Sequence, residues 1–364
     1  MFMIIFLSVP ILLIIWELVL FVRECVNNPF EASVAADALV FLLGAIYLRL
    51  FLLSKWTTLF DWDEQIINAE RHTPIYTGSL FTVVVIFIIA FTGYVLLQRV
   101  DLTDLPPLIV VLSISAMYLG MIQLCVFTFQ LVGTSIENDE MDYFVIALPV
   151  CCGIITARTI LRKIHEWKEL EIKNSKIQEN KILRIADEIL QNANLWPALA
   201  ILLIFPLLGI LIMILALFGQ APDSVIKAWT ETSEWALSTK QSPPNLHVDQ
   251  HYLCTVAAGG HTRVVKPIRK GIRHGHEVIV NRQLCIANAF EEVLQEKMPR
   301  AHRVIRDFYD RYGFPIAKLI RHKWSADLVY ILMKPLEWIF LIVLYFTDVH
   351  PENRIAVQYM GDRK

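Results

Sequence analysis

The chain is 364 residues long, 55% hydrophobic and only 19% charged, and its mean hydropathy is +0.50. An ordinary soluble domain carries about 25% charged residues, so this composition excludes a typical soluble protein and predicts a membrane protein. The formal net charge of −2 is the balance between one basic region and an acidic remainder.

Six apolar runs precede residue 220, and each is near the roughly 20 residues that a membrane-spanning helix needs. The first run lacks the basic start and cleavage site of a signal peptide, so we predict a retained helix. Together the runs define a transmembrane domain, residues 1–218. The predicted spans lie near residues 2–22, 34–53, 79–97, 108–132, 143–161 and 196–218.

Ionisable residues occur inside these runs, where they are costly and usually pair within a helix bundle. Glu17 lies in the first run, Asp37 and Arg49 lie in the second, and Arg158 lies close to the end of the fifth. We predict that Glu17 and Arg49 form a structural pair, with a role in transport as the alternative.

The segment 162–195 is polar, helix-prone and rich in Lys and Arg, whereas the loop on the other side of the fifth run is acidic. The positive-inside rule therefore predicts that this segment lies in the cytoplasm. A complete sixth crossing would then place the rest of the chain outside. Residues 262–323, however, hold fourteen Lys or Arg against six Asp or Glu, a balance more typical of the cytoplasmic face.

Two solutions to this conflict are open. Pro206 and Gly209 break the sixth run into a re-entrant hairpin, or the C-terminal domain is translocated regardless of its charge. We favour a multi-pass protein of the cell membrane whose C-terminal domain is cytoplasmic.

The sequence of residues 219–248 predicts an amphipathic helix from Pro222 to Leu237, followed by a linker. Residues 249–364 predict a basic α+β domain. Its segments HYLCTVAA, RVVKPI and EVIVNRQL predict three short strands. Three helices are predicted next, the second of which begins at Pro299 and stops at Gly313.

The last apolar run, near residues 328–346, is interrupted by Lys334, Pro335 and Glu337, and its uninterrupted part is too short to span a membrane. We predict an interfacial or re-entrant helix that docks the domain onto the bilayer, with a full crossing as the alternative. The predicted fold is thus a mainly α-helical polytopic membrane protein. About six transmembrane helices precede a small α+β C-terminal domain with a re-entrant or interfacial helix.

Residues 249–359 resemble a domain of an uncharacterised family of bacterial multi-pass membrane proteins. The likeness rests on the stretches HYLCTVAAGGHTRVVKPIRKG, IVNRQLCIANAFEE, YGFPIAKLIR and MKPLEWIFLIVLYFTDVHPENRIAVQY. The resemblance implies a bacterial membrane protein and supplies no catalytic residues.

The stretch CTVAAGGH, Cys254 to His261, has two interpretations. A Cys paired with a His is the arrangement of a thiol nucleophile and its base, and nearby basic residues would lower the pKa of the thiol. A buried strand that turns at Gly259 and Gly260 explains the same residues, and an odd offset places the two side chains on opposite faces. We favour the strand and turn, and keep Cys254 and His261 as the candidate catalytic pair.

His274 and His276 have a spacing that is compatible with zinc if a third ligand comes from elsewhere in the fold. Paired histidines beside a turn glycine are also common in solvated loops, which we favour. No cofactor signature is evident, and zinc is left open.

The basic series after residue 262 is a candidate phosphate-binding or lipid-binding surface, because the Arg fork fits phosphate oxygens. We favour a face that rests on anionic lipid over a specific phosphate pocket. Nucleic acid is not expected, because few aromatic residues interleave with the basic ones. The candidate residues are Lys266, Arg269, Lys270, Arg273 and Arg282.

In NRQLCIANAFEE, Asn288 is predicted to be a helix N-cap, with Glu291 three residues later as in a capping box. This structural role explains both residues, and Glu291 is also kept as a candidate acid or base.

Three functions compete, since the chain contains no P-loop and no GxGxxG, HExxH or GxSxG motif. We favour a multi-pass membrane protein whose surface domain binds anionic lipid or a phosphorylated ligand. The alternatives are a Cys/His hydrolase or transferase that acts on a lipid-linked substrate, and a transporter. Whether the chain is an enzyme is left undecided. The expected partner is the lipid bilayer, and a homo-oligomer is left open.

Overall fold

The computed structural model describes residues 2–26, 33–67, 70–133, 142–170, 189–243, 245, 252–273 and 276–359. The chain divides into two compact units. The first comprises Met1–Leu59 and His72–Lys240, and the second comprises Phe60–Arg71 and Gln241–Lys364. The short stretch Phe60–Arg71 thus folds with the C-terminal part of the chain, which no sequence pattern indicated.

The first unit is helical. Its helices are α1 (Phe2–Cys25), α2 (Ser33–Ser54), α3 (Leu80–Arg99), α4 (Pro107–Val132), α5 (Asp142–Glu169), α6 (Trp196–Leu217) and α7 (Ser224–Thr230). By length and composition, five stretches of the described chain could cross a membrane, or up to six if a bent pair near the C-terminus counts as one. The five are Ser33–Ser54, Thr77–Arg99, Pro107–Val132, Val145–Glu169 and Ala193–Leu217. The prediction of a mainly helical polytopic fold is confirmed.

The core of the first unit centres on α4, whose Val110, Val111 and Ile114 are fully buried. Helices α3 and α4 lie so close together at Gly120 that a methyl group there would overlap the side chain of Ala90. Small residues permit such close contacts between membrane helices. Apolar side chains such as Phe205 are exposed instead, as expected where a helix faces lipid.

Helix α6 corrects one prediction, because it continues without a break from Trp196 to Leu217 and contains Pro206 and Gly209 within it. The re-entrant hairpin proposed for this run is therefore wrong. A proline removes one backbone hydrogen bond, a loss that membrane helices tolerate.

Helix α7 is shorter than predicted, since it ends at Thr230 instead of Leu237. Gln130 donates a hydrogen bond of 3.0 Å to the carbonyl oxygen of Trp229, and the Thr232 hydroxyl donates to the same oxygen at 2.6 Å. These side chains take an acceptor that a longer helix would use, so the chain turns there.

The second unit contains seven helices and a two-stranded hairpin in its described part. The elements are α8 (Tyr252–Ala258), α9 (Thr262–Val265), β1 (Arg269–Arg273), β2 (His276–Val280), α10 (Arg282–Lys297), α11 (Pro299–Leu319), α12 (Lys323–Leu332), α13 (Lys334–Thr347) and α14 (Pro351–Val357). Strands β1 and β2 are antiparallel, and Arg269 is opposite Val280.

The first two predicted strands of this domain are wrong, because CTVAA lies in α8 and RVV lies in α9. Residues 254–258 are all buried, so the stretch has no polar face. A short apolar run of this kind does not distinguish a buried strand from a buried helix. The turn at Gly259 and Gly260 is present, but it ends a helix.

Two helix boundaries also differ from the prediction. Helix α10 begins after Asn281, whose side-chain oxygen accepts the N–H of Leu284 at 2.9 Å, so Asn288 is not the N-cap. Helix α11 begins at Pro299 as predicted but passes through Gly313 and ends at Leu319. A glycine stops a helix when it adopts positive φ, and Gly313 keeps a helical conformation.

The core of the second unit forms where the hairpin and α13 pack on α10. The rings of Phe290 and Phe340 stack with centroids 4.1 Å apart. The stretch Phe60–Arg71 fastens the loop between α11 and α12, since the Ile66 N–H donates to the Arg321 carbonyl oxygen at 2.8 Å.

Candidate functional site

Helix α11 has an exposed apolar face, which a soluble domain rarely leaves uncovered. Its members recur at helical spacing and are 48–78% exposed: Val304, Ile305, Phe308, Tyr312, Ile316 and Leu319. The opposite face is buried, with Gly313 and Ala317 directed into the domain. We call the exposed residues the apolar stripe of α11.

Basic residues lie along one edge of this stripe. At 100° per residue, Arg300, Arg311 and Lys318 fall within about 40° of Val304, and Arg303 lies further round the same edge. All four are exposed, and Asp307 is the acidic residue among them. An apolar face with a basic border is the pattern of a helix that lies in a membrane interface.

Helices α12 and α13 present a second exposed apolar surface. They meet at Met333 with a bend of 47°. Helix α13 packs one side onto α10 through the fully buried Leu344, while Trp338 and Ile342 on its other side are 65% and 53% exposed. Its 14 residues span about 21 Å, short of the roughly 30 Å of a bilayer core.

The five basic residues that the sequence predicts as a phosphate-binding or lipid-binding surface differ in their surroundings. Lys266 and Lys270 are exposed on and beside β1. Arg269 donates to the carbonyl oxygens of Ala356 and Gln358, at 2.8 and 2.6 Å. Exposure thus distinguishes the two lysines from Arg269, which lies against the backbone of the chain.

Arg282 pairs with Glu352 at 2.7 Å, and this hydrogen bond raises the pKa of the guanidinium and lowers that of the carboxyl. The charge of Arg282 is therefore already paired within the chain. The side chain of Arg273 lies outside the described residues.

Cys254 is buried on α8 between α10 and α13. Burial raises the pKa of the thiol to about 12, and the charges of Glu337 and Glu291 act in the same direction. The thiol is therefore protonated at neutral pH, the reverse of an activated nucleophile.

A cavity of about 80 Å³ adjoins Cys254 and is lined largely by apolar side chains, among them Leu294, Ile305 and Phe340. Sites for small molecules usually have about 300–1,000 Å³. The cavity is thus too small for a lipid-linked substrate.

Glu291 lies at the edge of this cavity and does not cap α10. Its Oε1 accepts hydrogen bonds from His302 Nε2 and Arg306 Nη1, both at 3.0 Å. These contacts join α10 to α11, with Glu291 as the shared acceptor of two basic side chains. Its role as an acid or base stays a prediction.

His261 lies in different surroundings from Cys254. Its Nδ1 is 2.7 Å from Asp327 Oδ2, and its Nε2 is 3.1 Å from Glu64 Oε2. Within the described residues no hydrogen bond joins His261 to Cys254. The catalytic pair predicted from CTVAAGGH thus gains no geometric support and stays a prediction.

The metal prediction falls largely outside the described residues, because His274 and the side chain of His276 are not among them. Where the structure does describe the chain, no group of three or more His, Cys, Asp or Glu side chains could hold a metal ion.

The predicted pair of Glu17 and Arg49 is wrong. Arg49 is exposed, whereas Glu17 is fully buried and lies 3.3 Å from Arg158 Nη2. Arg158 also pairs with Asp37, whose other oxygen accepts the Tyr94 hydroxyl at 2.6 Å. The sequence signal for Arg158 was its position inside an apolar run, which indicates a buried partner.

Two family models match the chain. One is described as the DUF6688 N-terminal domain and matches residues 1–246, and the other is described as the DUF6688 C-terminal domain and matches residues 249–360. No curated protein and no solved structure matches the chain. The predicted resemblance to a family of unknown activity is confirmed, while a bacterial source stays a prediction.

Proposed function

The chain belongs to the DUF6688 family of domains of unknown function, and we propose that its C-terminal domain is a membrane-surface module that binds anionic lipid through α11. The observation that carries the proposal is the apolar stripe of α11 with its basic border. The same helix buries its other side in the domain, so the exposed face is not needed for the core.

The apolar stripe supplies the hydrophobic part of the binding. Full burial of a Val, Leu or Phe side chain stabilises by about 1.5–3 kcal/mol. Val304, Phe308 and Leu319 are 66–78% exposed, so each retains most of that free energy for contact with acyl chains. Insertion to a depth of about 5–10 Å is typical of such helices.

The basic border supplies the preference for anionic lipid. Each Lys or Arg near an anionic leaflet contributes about 1 kcal/mol. Four basic residues and one Asp on the exposed side of α11 would therefore separate anionic from neutral membranes by about 3 kcal/mol, before screening by salt.

Helix α13 supports the same placement as an interfacial or re-entrant element. Its length is too short for a crossing, and one side belongs to the core of the domain. Trp338 is exposed on the other side, and tryptophan favours the level of the lipid headgroups.

We place this domain on the cytoplasmic face of the cell membrane. Because α6 is unbroken, the segments before and after it lie on opposite sides of a membrane that it crosses, so only one of the two basic regions is cytoplasmic. Among the described residues of the first region, Arg162 and Lys163 pair with Glu24 and Glu166, and Lys168 is exposed. Arg300, Arg303 and Arg311 of the second region are exposed, which favours the C-terminal domain.

The test compares two double variants of the full chain with equal changes of charge. Arg300→Glu with Arg311→Glu alters the border of α11, and Lys266→Glu with Lys270→Glu alters the hairpin surface. The chain is placed in phosphatidylcholine nanodiscs with or without phosphatidylglycerol, and hydrogen exchange of the α11 amides is measured.

We expect the wild type to protect α11 more strongly when phosphatidylglycerol is present, and the α11 variant to lose that difference. The hairpin variant should keep it. Equal protection in both lipids would refute the proposal. Protection by soluble glycerol 3-phosphate that the hairpin variant abolishes would indicate a phosphate pocket instead.

A further inference from the structure

Two carboxylates and one guanidinium are buried together in the first unit. Glu17 on α1, Asp37 on α2 and Arg158 on α5 are each 0% exposed. All three lie inside helices of high apolar content, so the surroundings disfavour any uncompensated charge. We call these residues the buried ion cluster.

The two carboxylates of the cluster are held differently. Asp37 accepts hydrogen bonds at both oxygens, from Arg158 Nη2 and from the Tyr94 hydroxyl. Glu17 lies 3.3 Å from Arg158 Nη2, yet neither of its oxygens has a hydrogen-bond partner among the described residues. Hydrogen bonds donated to a carboxylate stabilise its negative charge; Asp37 receives two such bonds, and Glu17 receives none from the described residues.

The cluster contains two acidic side chains and one basic side chain, so its charges do not balance. Two ionised carboxyl groups beside one guanidinium would leave one net negative charge in a dry interior, which is costly. One further positive charge balances the group. The orphaned oxygens of Glu17 mark where that charge would bind.

We propose that Glu17 is a binding site for one exchangeable proton, which completes the charge balance of Asp37 and Arg158. The proton adds to a carboxylate oxygen of Glu17 and comes from a hydronium ion, which is left as water. The proposal shares only the membrane placement of the helices with the lipid-binding function and does not depend on α11.

A second polar group lies one helical turn from the cluster, toward the end of α5. One turn after Arg158, Arg162 bonds to Gln98 Oε1 at 2.7 Å and to Glu24 Oε2 at 3.4 Å. The side chain of Arg162 is 23% exposed, so this group reaches the surface. On this proposal an exchanging proton reaches Glu17 from this end of the bundle, where polar side chains interrupt the apolar helix faces.

A small cavity lies on the other side of the cluster, between α1, α2 and α5. Its volume is about 20 Å³, enough for one water molecule, and Leu13, one turn before Glu17, contributes to its wall. Its walls are largely apolar and include none of Glu17, Asp37 and Arg158, so it does not supply the route for the proton.

The groups around Glu17 come from α5 and α2, the two helices that pack on α1, and from α3. Helix α5 contributes Arg158 and the thiols of Cys151 and Cys152, which lie near Glu17. Helix α2 contributes Asp37, and α3 contributes Tyr94, which donates to Asp37. Arg158 is the cation in direct contact with Glu17, and it is shared with Asp37.

The experiment records infrared spectra of the full chain in phosphatidylcholine nanodiscs with carbon-13 in the glutamate carboxyl groups. We expect one protonated glutamate band near neutral pH in the wild type. Glu17→Gln should remove it, and Glu169→Gln, at the exposed end of α5, should leave it unchanged.

A second variant keeps the test decisive if Glu17→Gln does not fold. Asp37→Asn removes one negative charge, so Glu17 and Arg158 balance each other and the glutamate band should vanish although Glu17 is intact. A purely structural cluster predicts no such coupling. The absence of the band in wild type between about pH 5 and pH 8, or its persistence in Glu17→Gln, would overturn the proposal.

Discussion

His261 and Asp327 form a two-point contact across the second unit. The backbone N–H of His261 donates to Asp327 Oδ1 at 2.8 Å, and its ring Nδ1 lies 2.7 Å from Oδ2. Glu64 faces the other ring nitrogen, so the imidazole lies between two carboxylates. The contact ties α12 and the stretch Phe60–Arg71 to the turn after α8.

The first prediction is a loss of stability at alkaline pH that depends on His261. Burial lowers the pKa of His261, but the hydrogen bond to Asp327 and the charge of Glu64 outweigh it, so the folded pKa is raised. The stabilisation is complete below the unfolded pKa, about 6.5, and is lost as pH rises through the folded value. Thermal unfolding of the full chain, followed from about pH 6 to pH 9, measures this loss.

The matched variants are His261→Gln and His322→Gln. Burial lowers the pKa of His322, so its contribution is lost as pH falls, the opposite sign. We expect His261→Gln to flatten the alkaline loss and His322→Gln to retain it. An unchanged alkaline slope in His261→Gln would show that this contact does not govern it.

The second prediction concerns the turn at Gly260. A methyl group there would overlap Asp327 Oδ1 and lie 2.8 Å from Val265 Cγ1, so Gly260→Ala must displace the His261 contact. We expect destabilisation by about 1–3 kcal/mol in denaturant unfolding. Gly313→Ala is the control, since its new methyl meets only ordinary contacts at 3.4–3.5 Å and a helical alanine is favourable by about 1 kcal/mol. Equal effects of the two substitutions would contradict this account.

The third prediction is that Cys254 is a slow thiol. Its raised pKa and burial predict little reaction with a thiol reagent in the folded protein and rapid reaction after unfolding. Cys25, which is exposed at the end of α1, is the internal reference. Fast native labelling of Cys254, read by mass spectrometry of its peptide, would restore the thiol nucleophile as a serious hypothesis.

The fourth prediction separates the two asparagines of α10. Asn281→Ala removes the N-cap bond to Leu284 and should cost about 1 kcal/mol, within a usual range of 0.5–2 kcal/mol. Asn288→Ala removes a bond to Gln358 and leaves the helix start intact, so amide exchange in the first turn should rise only in the Asn281 variant. A faster first turn in Asn288→Ala would support the capping box that the sequence predicted.

Apolar length was a reliable guide to this fold, and local pattern was not. The long helices of the first unit follow from runs of about 20 apolar residues, the length that a membrane crossing needs. The sequence predicts a strand at CTVAA, but five buried residues carry no periodicity that separates strand from helix, and only the surrounding helices decide its form. Gly313 and Pro206 are helix-breaking residues by their intrinsic preference, yet both lie inside continuous helices.

The candidate site, too, could be predicted from the sequence only in part. The sequence shows the basic character of the domain, but the basic residues that it predicts as a binding surface include Arg269 and Arg282, which already have partners in the chain. The stripe of α11 requires knowledge of which side of that helix is buried. Arg158 pairs with residues 121 and 141 positions earlier, and no local pattern reports such distances.

The fifth prediction tests the side of the membrane on which the C-terminal domain lies. Cys254 is too buried to report it, so Arg263→Cys, at an exposed position of α9, is placed in a chain that carries Cys25→Ser and Cys125→Ser. An impermeant thiol reagent should leave this cysteine unlabelled in intact cells and label it after permeabilisation. The partner variant Glu169→Cys, at the end of α5, should behave in the opposite way, because α6 separates the two positions by one crossing. Labelling of Arg263→Cys in intact cells would place the domain outside, where the anionic lipids of the inner leaflet do not reach it.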